Sequence, residues 1–129
     1  MQQSRQQDWF RQAENDLSSA QHLHAGGFYS QACFSAQQAG EKALKALCFA
    51  RGFDIVRTHS LFQLVRDLKE NGEVEVHARE LDLYYVSGRY PDAFPGGAPY
   101  ELITEQQAGR ALEAARIVLD FVHQKLDAE

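Results

Sequence analysis

A row of alanines constrains this chain more than any other feature. Ala32, Ala36, Ala39, Ala43, Ala46 and Ala50 recur at alternating steps of four and three, the spacing that stacks side chains on one face of an α-helix. The pattern predicts a helix from about Tyr29 to Arg51. Small side chains along a seam let a second helix approach closely. Gly40 beside the seam lowers intrinsic helicity, a cost that close packing is expected to offset. Leu44 and Leu47, with Cys33 and Cys48, widen the apolar surface beyond a narrow stripe. The helix is therefore expected to be central and to touch several neighbours.

The rest of the chain supplies those neighbours. Phe10, Ala13, Leu17, Ala20 and His24 share one face of a first helix running from Asp8 to His24. Ala25-Gly26-Gly27 ends it, because glycine tolerates the left-handed conformation at a helix C-terminus, and so short a break folds the next helix back antiparallel. Beyond Gly52 and a connection to His59, the residues Leu61, Leu64, Val65 and Leu68 mark a short third helix closed by Asn71-Gly72. A fourth is expected from Val74 to Val86, with Val74, Ala78, Leu81 and Tyr85 on its inner side, broken by Ser87-Gly88. Arg89 to Tyr100 holds all three prolines of the chain, so it is predicted to be a long loop, packed down by Tyr90, Phe94 and Tyr100. Thr104 has the character of an N-cap, and Ala108, Ala111, Leu112, Ala115, Leu119, Val122 and Leu126 line one face of a final helix. With no strand-like alternation, the expected fold is all-α. It is an up-and-down bundle of four to five helices in one domain, 1–129, with a Pro/Gly-containing loop before the last helix.

Composition narrows the function classes. A chain of 129 residues, 44% hydrophobic and 24% charged, can bury a core without disulfides or metals. Cys33 and Cys48 lie inside a helical pattern without CxxC or Cys/His ligand spacing, which points to buried free thiols. The N-terminal stretch Met1–Asp8 lacks the apolar segment of a signal peptide, and no later stretch is long and apolar enough for a membrane span. A cytoplasmic protein is expected. A net charge of -5 argues against a broad electrostatic grip on nucleic acid, so any contact with phosphate must be local.

With its elements placed, the chain resembles the HEPN family of nucleotide-binding helical domains over nearly its whole length. The resemblance is carried by Trp9-Phe10-x-x-Ala13-x-x-Asp16-Leu17-x-x-Ala20, and by Cys33-Phe34-x-Ala36-Gln37-Gln38-Ala39-x-Glu41-Lys42-Ala43-Leu44-Lys45-Ala46-Leu47. Thr58-His59-Ser60-Leu61-x-x-Leu64 and Tyr84-Tyr85 followed by Arg89-Tyr90-Pro91-Asp92 complete it. The resemblance implies a helical bundle, frequent homodimerisation and, in many operons, a partner similar to a minimal nucleotidyltransferase in a toxin–antitoxin pair. Catalytic members of the family are metal-independent ribonucleases with an arginine followed, after four to six residues, by a histidine. This sequence departs from that motif. Seven residues separate Arg51 from His59, Arg57 is two positions from His59, and Arg89 has no histidine before His123.

Three constellations are candidates for function. Gln38, Glu41, Lys42 and Lys45 fall at helical offsets off the alanine seam. They form either a solvated face with a Glu41–Lys45 ion pair, or a nucleotide site in which the lysines take phosphate while Gln38 or Glu41 orients a base or ribose. His59, at the start of the third helix, is either a packing residue beside a Thr58 or Ser60 cap or an acid–base group. In Arg89-Tyr90-Pro91-Asp92 an Arg89–Asp92 contact either stabilises the loop, or the planar guanidinium is free to grip a phosphate. His22, His24, His77 and His123 make no compact ligand set, Pro95-Gly96-Gly97 lacks the Lys-Ser/Thr ending of a phosphate loop, and Trp9 is expected to pack. No metal or cofactor is expected.

Two function classes follow. The first is a non-catalytic module binding a nucleotide, an RNA end or a nucleotidyltransferase partner through Lys42, Lys45, His59 and Arg89. The second is a metal-independent ribonuclease with a non-standard arrangement in which Arg89 or Arg51 supports phosphate and His59 acts as base. A purely structural adaptor remains if neither holds.

Overall fold

A computed structural model describes residues 5–129; residues 1–4, part of the polar N-terminal stretch, lie outside it. The chain forms α1 (Gln6–Ala25), α2 (Tyr29–Ala50), α3 (Leu61–Asp67), α4 (Glu73–Asp82), α5 (Tyr84–Ser87), a 3-10 turn at Pro91–Ala93, α6 (Pro99–Leu102) and α7 (Glu105–Ala128). Among the described residues there is no strand. Gly27, at φ 85°, makes the left-handed step that folds α2 back along α1.

The alanine seam organises the bundle as its spacing requires. Ala32, Ala36, Ala39, Ala43 and Ala46 are fully buried, and α2 packs extensively against both α1 and α7. Phe10, Ala13 and Ala20 from α1 and Ala108, Ala111, Ala115 and Val122 from α7 complete this core. A Cβ placed on Gly40 would lie 2.5 Å from Leu61 Cδ2 and 2.8 Å from Leu81 Cδ1. The missing side chain is therefore what lets the leucines of α3 and α4 rest on the α2 backbone. Thr104 caps α7 as expected, its hydroxyl accepting from the Gln107 amide N–H.

Three expectations need correction. The fourth helix is interrupted: the Leu83 N–H bonds to the Glu80 carbonyl three residues back, tightening the turn. That change of phase buries Tyr84 in place of Tyr85, whose ring is left half-buried at the surface. The segment from Arg89 to Tyr100 is not structureless, because Pro91 and Pro99 each stand at the start of a short helical turn, where a missing N–H costs nothing. Nor do all its aromatics pack down: Phe94 lies against the core, but Tyr90 and Tyr100 are exposed.

The joint between α3 and α4 fixes the next layer of the structure. Asp82 at the end of α4 accepts from Leu61 N at 2.7 Å, Phe62 N at 3.0 Å and Ser60 Oγ at 2.9 Å. A carboxylate thereby satisfies the amides opening α3, while Ser60 itself accepts from Gln63 N. His59, one residue before the cap, and Tyr85, three residues after Asp82, are brought to the same edge of the bundle.

Candidate functional site

The site is built outward from α2. Gln37, Glu41 and Lys45 succeed one another at steps of four and are 0%, 5% and 6% exposed. Lys45 Nζ donates to Glu41 Oε2 at 2.9 Å and Gln37 Nε2 donates to Glu41 Oε1 at 3.1 Å. His59 Nδ1 lies 3.1 Å from the same Oε2, and Gln37 Nε2 also reaches the His59 carbonyl at 3.3 Å. The Glu41–Lys45 pair is thus present, but it is sealed inside the protein and not spread on a solvated face. Trp9 of α1 closes over it, with Lys45 Nζ 5.9 Å from the indole centre.

Outside this buried carboxylate stands His59, its side chain 54% exposed. Its ring stacks on Tyr85, with centres 5.0 Å apart and planes 15° from parallel. Below the ring, Thr58 Oγ1 accepts from Ser60 N, tightening the turn that presents it. Arg89 rests on the same tyrosine. Its guanidinium carbon lies 4.9 Å from the Tyr85 ring, 4.3 Å from Phe34 and 4.7 Å from Tyr90, and Nε donates to the Tyr85 carbonyl at 3.2 Å. Among the described residues no carboxylate pairs with it. Gly88 makes this approach possible, since a Cβ there would meet the Tyr84 carbonyl at 2.9 Å and Phe34 Cβ at 3.1 Å. Beside Arg89 opens a largely apolar groove of about 590 Å³, lined by Ser30, Phe34, Gly88, Pro99 and Tyr100 among others.

The candidates from sequence therefore separate. Glu41, Lys45 and His59 form one cluster, and His59 and Arg89 meet across Tyr85 with Tyr90 alongside. Lys42 turns toward α1 and pairs with Asp16 at 2.6 Å, while Gln38 donates to Gln37 Oε1 at 2.8 Å. Asp92 is exposed, and among the described residues no hydrogen bond or ion pair joins it to Arg89. Arg51 is held by Glu129 at 2.7 Å, Glu70 at 2.9 Å and the Leu68 carbonyl at 3.1 Å, and the Glu129 and Glu70 hydrogen bonds raise its pKa. Those bonds engage the guanidinium that one arrangement would use to support phosphate. Phe34, Gln37 and Tyr85, present in the sequence motifs, join the candidate site only through the fold. Gln37 was detectable as one i,i+4 step before Glu41, but nothing in the pattern showed that this row is buried.

Among the described residues, no set of three or more His, Cys, Asp or Glu side chains is grouped to hold a metal, and no helix is long and apolar enough to cross a membrane.

Comparison with known proteins agrees with this architecture. A Thermus thermophilus protein of known crystal structure, TT1696, is 41% identical and superposes with a TM-score of 0.90 over 95% of this chain and 99% of its own. An archaeal HEPN homologue, ST0689, is 37% identical with a TM-score of 0.83, covering 95% of this chain and 98% of its own. A HEPN domain protein from Thermotoga maritima is 32% identical with a TM-score of 0.73, covering 93% of this chain and 98% of its own. The Methanocaldococcus jannaschii protein MJ1304, named as a candidate toxin, is 28% identical over 127 residues, spanning 88% of this chain and 83% of that protein. The HEPN domain profile itself matches residues 6–126, and with that span of the bundle accounted for, the chain belongs to the HEPN domain family.

Proposed function

We propose that this HEPN protein is the binding member of a toxin–antitoxin pair, holding a nucleotide or an RNA end on the strip formed by His59, Tyr85 and Arg89. The observation that carries this reading is Arg89 itself: a guanidinium set among three aromatic rings, with no carboxylate partner among the described residues. A cation beside half-buried and exposed rings suits a phosphate flanked by an unstacked base. Lys42 and Lys45 are both engaged by carboxylates, so the phosphate contact falls to Arg89. The chain's net charge of -5 fits one local contact and not an extended basic track. The toxin-like relative supports the pairing, and the partner proposed is a minimal nucleotidyltransferase acting with a cytoplasmic homodimer of this chain.

Calorimetry with mononucleotides and short RNA tests the reading. Arg89→Ala should weaken binding by roughly tenfold or more, the loss of a charge-assisted contact, in a protein whose circular dichroism spectrum remains that of the folded bundle. Absence of binding to any nucleotide, RNA or co-encoded partner by the unaltered protein would refute it. Light scattering at micromolar concentration tests the dimer.

A second reading, a metal-independent ribonuclease, is favoured by one arrangement. His59 is backed by Glu41 and shares a ring with Arg89, so an imidazole oriented by a carboxylate stands beside a phosphate-binding cation. Diverse RNA left intact in EDTA, by the protein alone and with its partner, would exclude it.

A further inference from the structure

We infer that the groove between α2 and α6 docks a segment of a partner protein, apolar in character and bearing one acidic side chain, whose carboxylate Arg89 receives. The inference deepens the proposed toxin–antitoxin pairing by naming the surface that holds the partner.

The groove offers a single charge. Among the described residues that line it only Arg89 is ionised, and its walls come largely from Leu23, Phe34, Ala98, Pro99 and Tyr100. Arg89 Nε donates to the Tyr85 carbonyl, while among the described residues the terminal guanidinium nitrogens make no hydrogen bond and no ion pair. The planar fork that grips a carboxylate with two parallel bonds is therefore unfilled. One acid on the incoming segment completes it. A second charge would be desolvated against the aliphatic wall with nothing to pair it. The same wall favours leucine- or phenylalanine-like side chains over a nucleobase, whose polar edge would be left unsatisfied there. For the backbone of the segment, the Gln31 amide and the Ser35 hydroxyl, also in the lining, supply hydrogen-bonding groups.

The groove is preformed and its rim is bare. Phe34 stands on the central helix, and Pro99 is buried at the start of α6, where Ala98 N donates to Glu101 Oε1 at 3.1 Å. Walls already held in place lower the ordering cost of docking. Along the edge, Tyr100 is 72% exposed, Tyr90 49% and Leu102 41%, three large apolar side chains in one short stretch of chain. Exposed tyrosines grouped beside an arginine have the composition of a protein interface core. One guanidinium cannot serve two anions, so the partner's carboxylate and a phosphate exclude each other at Arg89.

Selection from a random peptide display library on the immobilised protein, followed by fluorescence anisotropy of the enriched sequence as a labelled peptide, tests the inference. Enriched sequences should set one aspartate or glutamate among aliphatic or aromatic residues. Replacing that acid by its amide should weaken binding about tenfold with the unaltered protein and leave binding to Arg89→Ala unchanged, because the loss belongs to the pair. Tyr100→Ser, folded by circular dichroism, should weaken the peptide severalfold, and the peptide should displace short RNA. Enrichment of no sequence, or of basic or uncharged ones, overturns the inference. So does an amide penalty that persists without Arg89, full affinity in Tyr100→Ser, or peptide and RNA bound together. A dimer in light scattering that Tyr100→Ser dissociates would put a second copy of this chain in the groove and overturn it too. RNA that does not bind at all refutes the nucleotide-holding role alone, since the peptide measurements do not use it.

Discussion

Replacing Gly40 by alanine tests whether the central helix is packed to contact. In isolation the change favours the folded state, since alanine stabilises a helix interior by about 1 kcal/mol relative to glycine. Here the new methyl would lie 2.5 Å from Leu61 Cδ2 and 2.8 Å from Leu81 Cδ1, where an unstrained carbon contact is about 3.5–4.0 Å. Both leucines are fully buried, so neither has space to rotate into. Their helices cannot slide apart independently either, because Asp82 binds the first amides of α3 to the end of α4. Overpacking of this kind costs about 1–3 kcal/mol, and two simultaneous contacts place the cost toward the upper end. Net destabilisation of about 1–2 kcal/mol is expected, read as a lowered urea midpoint at unchanged slope by circular dichroism. Leu61→Ala should be the rescuing partner. In the double variant the new methyl fills part of the space the leucine leaves, so the two losses should fall short of additivity by about 1 kcal/mol or more. A Gly40→Ala protein as stable as its parent, or losses that simply add, would refute the packing argument.

Other outcomes follow from the same geometry. Lys45→Met strands the buried Glu41 carboxylate and should cost about 3 kcal/mol, whereas Glu41→Leu with Lys45→Met should return within about 1–2 kcal/mol of the parent, both measured by urea denaturation. Asp82→Ala removes the acceptor for Leu61 N and Phe62 N and should cost about 1–2 kcal/mol, with amide exchange accelerated at the start of α3. Burial, reinforced by Glu80, pushes the Cys33 thiol up to about 12, and burial with Asp67 pushes Cys48 up to about 11. Both thiols should therefore resist a disulfide reagent at neutral pH until the protein unfolds. The sign also sets alkaline stability. The fold prefers protonated thiols, so their contribution is complete below the ordinary thiol range and is lost as pH climbs from there through about 11 for Cys48 and about 12 for Cys33, visible as a melting temperature that falls over that window.

Period and punctuation made the fold largely legible in the chain. The alanine seam, the glycine pair after α1 and the Thr104 cap each act through neighbours a few residues away, so their signals survive in one dimension. The tightened turn at Leu83 did not, because a single change of hydrogen-bond partner leaves the apolar spacing almost intact while exchanging Tyr84 for Tyr85 on the inner face. The candidate site was half legible. Glu41, His59 and Arg89 stood out by residue type, but spacing shows neither depth nor which side chain lies between two others. The Glu41–Lys45 pair is one reading of the helical spacing, but its burial is not visible there, nor is the hold on Lys42 of Asp16 from another helix. Tyr85 joins His59 to Arg89 only because α3 and α4 meet at Asp82.

That meeting point has a consequence for how the protein can be altered. Because the start of α3 is fastened directly to the end of α4, the relative placement of His59 and Tyr85 does not depend on Asn71 and Gly72, the exposed residues of the turn that links the two helices beyond Glu70. The turn is an insertion point: a reporter peptide or a short flexible segment spliced there lengthens the chain between the two halves of the strip while the clamp keeps their spacing. The α5–α6 segment offers no such freedom, since Gly88 must lie against Phe34 for Arg89 to reach its rings.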